Sequence, residues 1–273
     1  MLLPFARFNQ AGAGAKELNL QFLWSRKKQI VDVQDEYGRI WIGEKGSVRH
    51  LVFGEDSEQS AVCMQNPLRL QYEYSRAMLL GALCADEPET ALFLGLGSGA
   101  LVRSCLAALP SLFDAEIIEL RPEVLRVAEQ YLGFRQDERM TMRIGDALTL
   151  LDSAEPADLI FLDLYSEQGP SRAHMTGDFL LDCRAKLSNK GWLVINQWAL
   201  LDNTPLASSL LHSVFDGHYW ELPVIEGNVI VLIPASNGQN LPVERLRRRA
   251  TEVGQQQGYD LLGLLKQIRL ASP

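Results

Sequence analysis

Three carboxylates and a run of glycines carry most of the chemistry that this 273-residue sequence can offer. Glu119, Asp146 and Asp163 each follow closely on a short apolar run. Gly95, Gly97 and Gly99 follow another, Ala91–Leu94. Glycines at alternate positions permit positive φ and let a ligand approach backbone N–H groups with no Cβ in the way. The helix-like run Ala100–Leu109 comes directly behind them, and a helix start presents unpaired N–H groups to electronegative atoms. Taken alone, Gly-x-Gly-x-Gly is equally a tight turn. The order of elements downstream gives it weight.

Glu119 lies about 20 residues after the last glycine, where an acid can accept hydrogen bonds from both ribose hydroxyls of a nucleoside. Its alternative is a solvated acid at a strand end. Asp146, between Gly145 and Ala147, can take the exocyclic amino group of an adenine or cap the helix beginning at Leu148, and both roles can coexist. Asp163 ends the apolar run Leu159-Ile160-Phe161-Leu162, so it faces a crevice or is buried at high cost. Position 100 is Ala, which a dinucleotide fingerprint tolerates, so spacing leaves a nicotinamide cofactor open. The Asp146 turn and the Asp163 strand end favour an adenosyl-sulfonium ligand.

The elements that must position these residues alternate. Strands are expected at 91–94, 115–119, 140–144, 159–162 and 192–196, with helices at 100–109, 122–131, 148–151 and 176–187 between them. Continuous apolar strands separated by helices predict a parallel sheet covered on both faces, with its ligands at the carboxyl ends of the strands. Upstream, period-two alternation predicts a hairpin over Gln29–Asp35 and Arg39–Gly43, a further strand at 48–53 and a polar turn at 54–57. A helix with Pro67 near its start is predicted over 68–83. Downstream, a turn at 202–205 precedes a helix over 206–214, and strands at 218–224 and 228–233 read as an antiparallel pair closing the sheet edge. The tail 241–270 reads as helical, its Arg245, Arg247, Arg248 and Arg249 on a solvated face or at a helix C-terminus. The fold class is therefore α/β, a doubly wound, mostly parallel sheet with a small N-terminal β-sheet domain. The expected boundaries are 1–66 for that domain, 67–235 for the nucleoside-binding domain and 236–273 for a helical tail. Ala11–Ala15 reads as a flexible link.

Composition narrows the partners. A net charge of −8 argues against a nucleic-acid surface and is compatible with a cationic small substrate. Cys63, Cys84, Cys105 and Cys183 are scattered, with no zinc spacing, which fits a reducing cytoplasm and no metal. Met1–Phe5 is too short for a signal-peptide core, and no run approaches the roughly 18 apolar residues that span a bilayer. A soluble chain without membrane contact is expected. The N-terminal sheet needs cover, which a second copy in a homodimer would supply.

Residues from about 25 to 235 resemble the spermidine synthase, or polyamine aminopropyltransferase, family, which is built on the class I methyltransferase fold. Gln29-Ile30-Val31-Asp32-Val33 and Gly38-Arg39-Ile40-Trp41-Ile42 resemble its opening hairpin. Leu92–Gly99 followed by Arg103 resembles its glycine loop, Ile117–Val124 its ribose-binding segment, and Gly145-Asp146-Ala147 its adenine-side turn. Asp163, with Gly169-Pro170 and Phe179 further on, resembles its catalytic loop and the helix behind it. Val194–Trp198 is similar to a divergent bacterial branch called spermidine-synthase-like. The resemblance implies a methyltransferase-like, Rossmann-like domain and transfer of an aminopropyl group from decarboxylated S-adenosylmethionine to a small amine. It also implies dimeric association, and nucleoside contacts from Gln29, Gly95, Gly97, Gly99, Glu119, Asp146 and Ala147. Asp163 and Tyr74 are then the catalytic pair, with Tyr165, Ser166 and Glu167 on the amine side.

The sequence also departs from that pattern. The second aspartate of the catalytic loop is Ser166 here, with Glu167 one residue further on. The Tyr-His-Glu element is Tyr74-Ser75-Arg76, and the acidic pair before it is Leu70-Gln71. Ordinary S-adenosylmethionine as the donor requires a cation for its carboxylate, for which Arg76 and Arg103 are the candidates. Methyl transfer to a small molecule, and a nucleoside-binding protein without catalysis, are the alternatives these substitutions leave open.

Overall fold

The computed structural model describes residues 27–271. The expected link at Ala11–Ala15 and the apolar stretch Met1–Phe5 lie outside them. The chain begins with β1 (Lys28–Asp35), β2 (Gly38–Lys45), β3 (Val48–Phe53) and β4 (Ser57–Cys63), an antiparallel meander in that order. The strand β4 replaces the end of the expected polar turn. Its Ser-Glu-Gln-Ser start lacks apolar alternation because its partners are polar: Ser60 accepts from the N–H of Ser98 at 2.9 Å, and Lys27 donates to Glu58 at 2.9 Å.

The helix α1 (Glu73–Ala82) starts later than the spacing 68–83 predicts. Leu70 is instead held in an isolated antiparallel bridge to Val62, and Tyr72 is extended. The start is fixed by a carboxylate remote in sequence, since Glu226 accepts from the N–H groups of Glu73 (2.7 Å) and Tyr74 (3.3 Å). Acids at a helix N-terminus satisfy orphan donors and complement the dipole.

The alternation then follows: β5 (Thr90–Leu94), α2 (Ala100–Ala108), β6 (Asp114–Glu119), α3 (Pro122–Tyr131), β7 (Met140–Ile144), α4 (Ala147–Leu150) and β8 (Ala157–Leu162). A two-residue hairpin pair, β9 (Tyr165–Ser166) and β10 (Gly169–Pro170), precedes α5 (Gly177–Ala185) and β11 (Leu187–Trp198). The chain finishes with α6 (Ser208–Phe215), β12 (Trp220–Pro223), β13 (Asn228–Pro234), α7 (Val243–Gln257), α8 (Leu261–Leu265) and β14 (Arg269–Leu270). The large sheet runs β14-β12-β13-β11-β8-β5-β6-β7. Strands β7, β6, β5, β8 and β11 are parallel, and β13 is antiparallel to both β11 and β12. This is the class I methyltransferase-like order, with its switch point between β5 and β8.

Those two central strands are apolar on both faces because helices cover both. Phe93 and Phe161 are register partners, stacked 4.5 Å apart on one face, while Leu92, Leu94, Ile160 and Leu162 fill the other. Each such side chain is worth about 1.5–3 kcal/mol of burial. The tail is not one helix. Its end, β14, pairs with β12 at the sheet edge. The arginine run supports neighbouring helix ends: Arg245 donates to the carbonyl of Cys84 at 2.7 Å, just past α1, and Arg249 to that of Ala108 at 3.4 Å, the last residue of α2. Among the described residues no helix is long and apolar enough to cross a membrane.

The small sheet is pinned to the large one beside the switch point. Arg121, buried after β6, forks onto Asp35 (2.9 and 2.7 Å), donates to the carbonyl of Gly38 at 2.9 Å and lies 4.5 Å over the ring of Phe53.

Candidate active site

The glycine turn is shaped by its neighbours as well as open to a ligand. Gly95, Gly97 and Gly99 all have positive φ (102°, 55° and 71°). A Cβ would lie 2.5 Å from the carbonyl oxygen of Asp163 at Gly95, 3.1 Å from Ser60 Oγ at Gly97 and 2.2 Å from the ring of Phe134 at Gly99. The same glycines therefore let β5 meet the Asp163 loop, the small sheet and α3's exit at van der Waals distance.

Glu119 ends β6 and is buried, 7% exposed. Each of its oxygens already takes one backbone donor, Leu96 N and Arg121 N, both at 2.9 Å. Burial pushes its carboxyl up, and those N–H groups pull it back. The Gly97 N–H also bonds this carboxylate, which leaves about one of its roughly four lone pairs for a ribose hydroxyl. Asp146 follows β7 and caps α4 through Leu148 N at 2.9 Å, so the capping role is present. It also holds a partner with no signal in the local spacing: His174 Nε2 lies 3.0 Å from the same Oδ1. Ala147 is buried behind it.

Asp163 follows β8 across the switch point from the glycine turn. It is half-buried, and desolvation by the surrounding protein pushes its carboxyl up to about 6. Asn196 Nδ2 donates to Oδ1 at 2.9 Å, while Oδ2 has no partner among the described residues. Behind this pair, Asn228 Nδ2 donates to Asn196 Oδ1 at 2.8 Å and reaches the Tyr165 hydroxyl at 3.3 Å, and that hydroxyl donates to the Asn196 carbonyl at 3.3 Å. Burial beside Asp163 holds the Tyr165 phenol well above its ordinary range.

Tyr74 enters from α1. Its hydroxyl donates to the carbonyl of Gln59 at 2.7 Å, and its phenol is held up by burial and by the negative charges of Asp163, Glu226 and Glu58. Glu58 itself binds Lys27, His50 and the hydroxyl of Tyr72, and Tyr72 stacks on Tyr74 with centroids 5.7 Å apart.

The remaining predicted residues are less convergent. Ser166 Oγ bonds within its own hairpin, to the Gly169 carbonyl at 3.3 Å. Glu167 extends across the tips of the small sheet, where a Cβ on Gly54 would lie 2.6 Å from its Oε2 and one on Gly38 3.6 Å. Gln29 is exposed on edge strand β1 and donates to Asp32 at 3.2 Å, a pairing across a bulge that brings residues three apart to one side. Both candidate arginines bond backbone carbonyls, and Arg103 keeps its buried Nη2 without a partner among the described residues. Arg76 donates to the carbonyls of Leu70 (2.9 Å) and Gln71 (3.1 Å) and lies 5.2 Å over Tyr259. Arg103 donates to the carbonyls of Gly99 (3.3 Å) and Gly133 (2.9 Å).

Sheet order, switch-point crevice and strand-end acids together define a Rossmann-like protein of the class I methyltransferase type. The pattern of the spermine/spermidine synthase domain matches residues 72–214. A polyamine aminopropyltransferase of Chromobacterium violaceum is 30% identical over 237 residues, covering 83% of this chain and 88% of that one. The chain belongs to the spermidine synthase family. A spermidine synthase from Thermotoga maritima shares its fold (TM-score 0.69, 18% identity, 90% of this chain and 85% of that one). Human methyltransferase-like protein 13, in complex with SAH, is also similar (TM-score 0.58, 25% identity, 68% of this chain and 92% of that one).

Proposed function

We propose that this protein transfers the aminopropyl group of decarboxylated S-adenosylmethionine to a small polyamine acceptor. The observation that carries the reading is Asp163: one oxygen is tied to Asn196, the other has no partner among the described residues, and Asp163, Tyr165, Glu226 and Glu58 lie near the Tyr74 phenol. The nucleoside half would rest on the glycine turn and Glu119, with Asp146 and Ala147 at the base and Gln29 at the small-sheet edge.

The reaction is an in-line displacement. The amine lone pair forms a bond to the methylene beside the sulfonium, the C–S bond breaks, and its electrons remain on sulfur as a neutral thioether. No acid is needed at the leaving group. The protein must orient an amine and remove its proton. Asp163 Oδ2 takes that proton, and a carboxyl held near 6 is largely ionised at neutral pH while still basic enough to accept it. Tyr74, whose hydrogen is spent on the Gln59 carbonyl, offers oxygen lone pairs to an amine N–H. Tyr165, beside Asp163, would line the amine side, with Ser166 in the flanking hairpin and Glu167 over the small sheet. A cationic acceptor is favoured by the charges near Tyr74, and a donor without a carboxylate by the commitment of Arg76 to the Leu70 and Gln71 carbonyls. That second point weighs against ordinary S-adenosylmethionine and methyl transfer.

A homodimer in the cytoplasm completes the proposal, supported by the outer edge of β1, which has no strand partner among the described residues, and by free cysteines at 63, 84, 105 and 183. Incubation with putrescine and the decarboxylated donor, followed by mass spectrometry, tests the activity. Spermidine and methylthioadenosine should appear, and Asp163→Asn should abolish both. Donor binding with no transfer to any diamine would overturn the reading. Tight S-adenosylhomocysteine binding with weak methylthioadenosine binding would replace it with methyl transfer.

A further inference from the structure

His174 is a buried imidazole, 8% exposed, that uses both ring nitrogens beside the proposed base-binding turn. Its Nε2 lies 3.0 Å from Asp146 Oδ1, and its Nδ1 lies 2.7 Å from Ser171 Oγ. A carboxylate oxygen only accepts, so Nε2 carries the proton, and in the neutral ring Nδ1 accepts from the Ser171 hydroxyl. Ser171 is itself fixed, because its N–H donates to the Leu164 carbonyl at 2.9 Å and closes the β9–β10 hairpin. The ring also packs edge-on against Phe179, centroids 5.1 Å apart at 75°. Position and tilt of the imidazole are both determined.

Capping α4 does not require this. The Leu148 N–H at 2.9 Å already satisfies the cap, and an exposed cap works without a buried partner. The consequence of the second donor is geometric. Oδ1 takes both Leu148 N and His174 Nε2, which fixes the rotation of the carboxylate, while Oδ2 has no partner among the described residues and the side chain is 44% exposed. A free, oriented acceptor at the end of β7 fits a donor on the ligand. We propose that His174, held by Ser171, is a positioning residue that aims Asp146 at the six-amino group of an adenine ring and so sets purine selectivity. The inference rests on the nucleoside half of the function proposed above.

The test is calorimetric titration of the full chain with methylthioadenosine and with its six-oxo counterpart, methylthioinosine. Wild type should prefer the adenine compound, because a carbonyl at that position repels Oδ2. His174→Leu, which keeps an apolar body against Phe179, should lower methylthioadenosine affinity about tenfold without lowering methylthioinosine affinity, and so collapse the preference. His174→Gln, whose amide nitrogen can reach Asp146, should restore it. Ser171→Ala provides a second variant that leaves the core untouched and should weaken the preference about threefold. Failure of wild type to bind either nucleoside would overturn the nucleoside reading and this inference with it. Wild-type binding with the same preference in His174→Leu and Ser171→Ala, or equal loss of both ligands, would overturn the inference alone.

Discussion

Asn196 donates a 2.9 Å hydrogen bond from Nδ2 to Oδ1 of Asp163, and this bond decides which oxygen is left for chemistry. It also favours the ionised carboxylate and so opposes the desolvation that pushes the group up to about 6. Asn196 is in turn oriented by Asn228, so the reactive carboxylate is set by two amides on adjacent antiparallel strands.

Removing that donor should move the pH profile. With Asn196→Ala the remaining desolvation raises the Asp163 carboxyl further, and the acid limb of the rate should shift upward by about one pH unit. Near pH 6 the rate should fall about fivefold, approaching tenfold at lower pH and converging on wild type at high pH. Transfer rates from pH 5 to 9 check this, and an unmoved limb would remove Asp163 as the titrating group.

Asp163 should also cost stability in its working state. Its native pKa of about 6 exceeds the ordinary 3.8, so between those values the native state holds a proton that the unfolded chain has lost. Stability therefore falls as pH rises through that window. Asp163→Asn lacks this slope and should melt at or above wild type at pH 7.5, the difference shrinking toward pH 4. Melting curves at several pH values decide it.

Gly99→Ala should destabilise through packing as well as backbone strain. The added Cβ falls 2.2 Å from the Phe134 ring at a φ of 71°, which warrants a loss of about 3 kcal/mol. Pairing it with Phe134→Leu should recover part of the loss in urea melts, since the smaller side chain makes room.

Glu226→Gln should separate the two substrates. The amide oxygen can keep the shorter bond, from the Glu73 N–H, while the weaker one from Tyr74 N–H is lost together with the negative charge beside Tyr74. The expected result is a rise of about fivefold in the KM for the amine, with the donor KM unchanged. Steady-state kinetics in both substrates measure it, and a parallel rise in donor KM would mark a structural role instead.

The alternating apolar runs determined the parallel sheet, its covering helices and the strand ends that carry Gly95, Glu119, Asp146 and Asp163. This works because burial on both faces leaves a continuous hydrophobic signature, and ligands of such sheets lie at the carboxyl ends. The polar strand β4, the late start of α1 and the sheet-edge strand β14 were decided by the tertiary structure. Their causes, Ser98 behind Ser60, Glu226 behind Glu73 and β12 beside β14, are remote in sequence. The same holds at the site. The spacing of Asp146 predicted a cap or a base contact, and only folding brought His174 and Ser171 behind it. Likewise Arg76 read as a free cation until the fold spent it on the Leu70 and Gln71 carbonyls. A sequence fixes which groups a chain owns; which of them retain an unused hydrogen bond depends on partners that only the packed structure supplies.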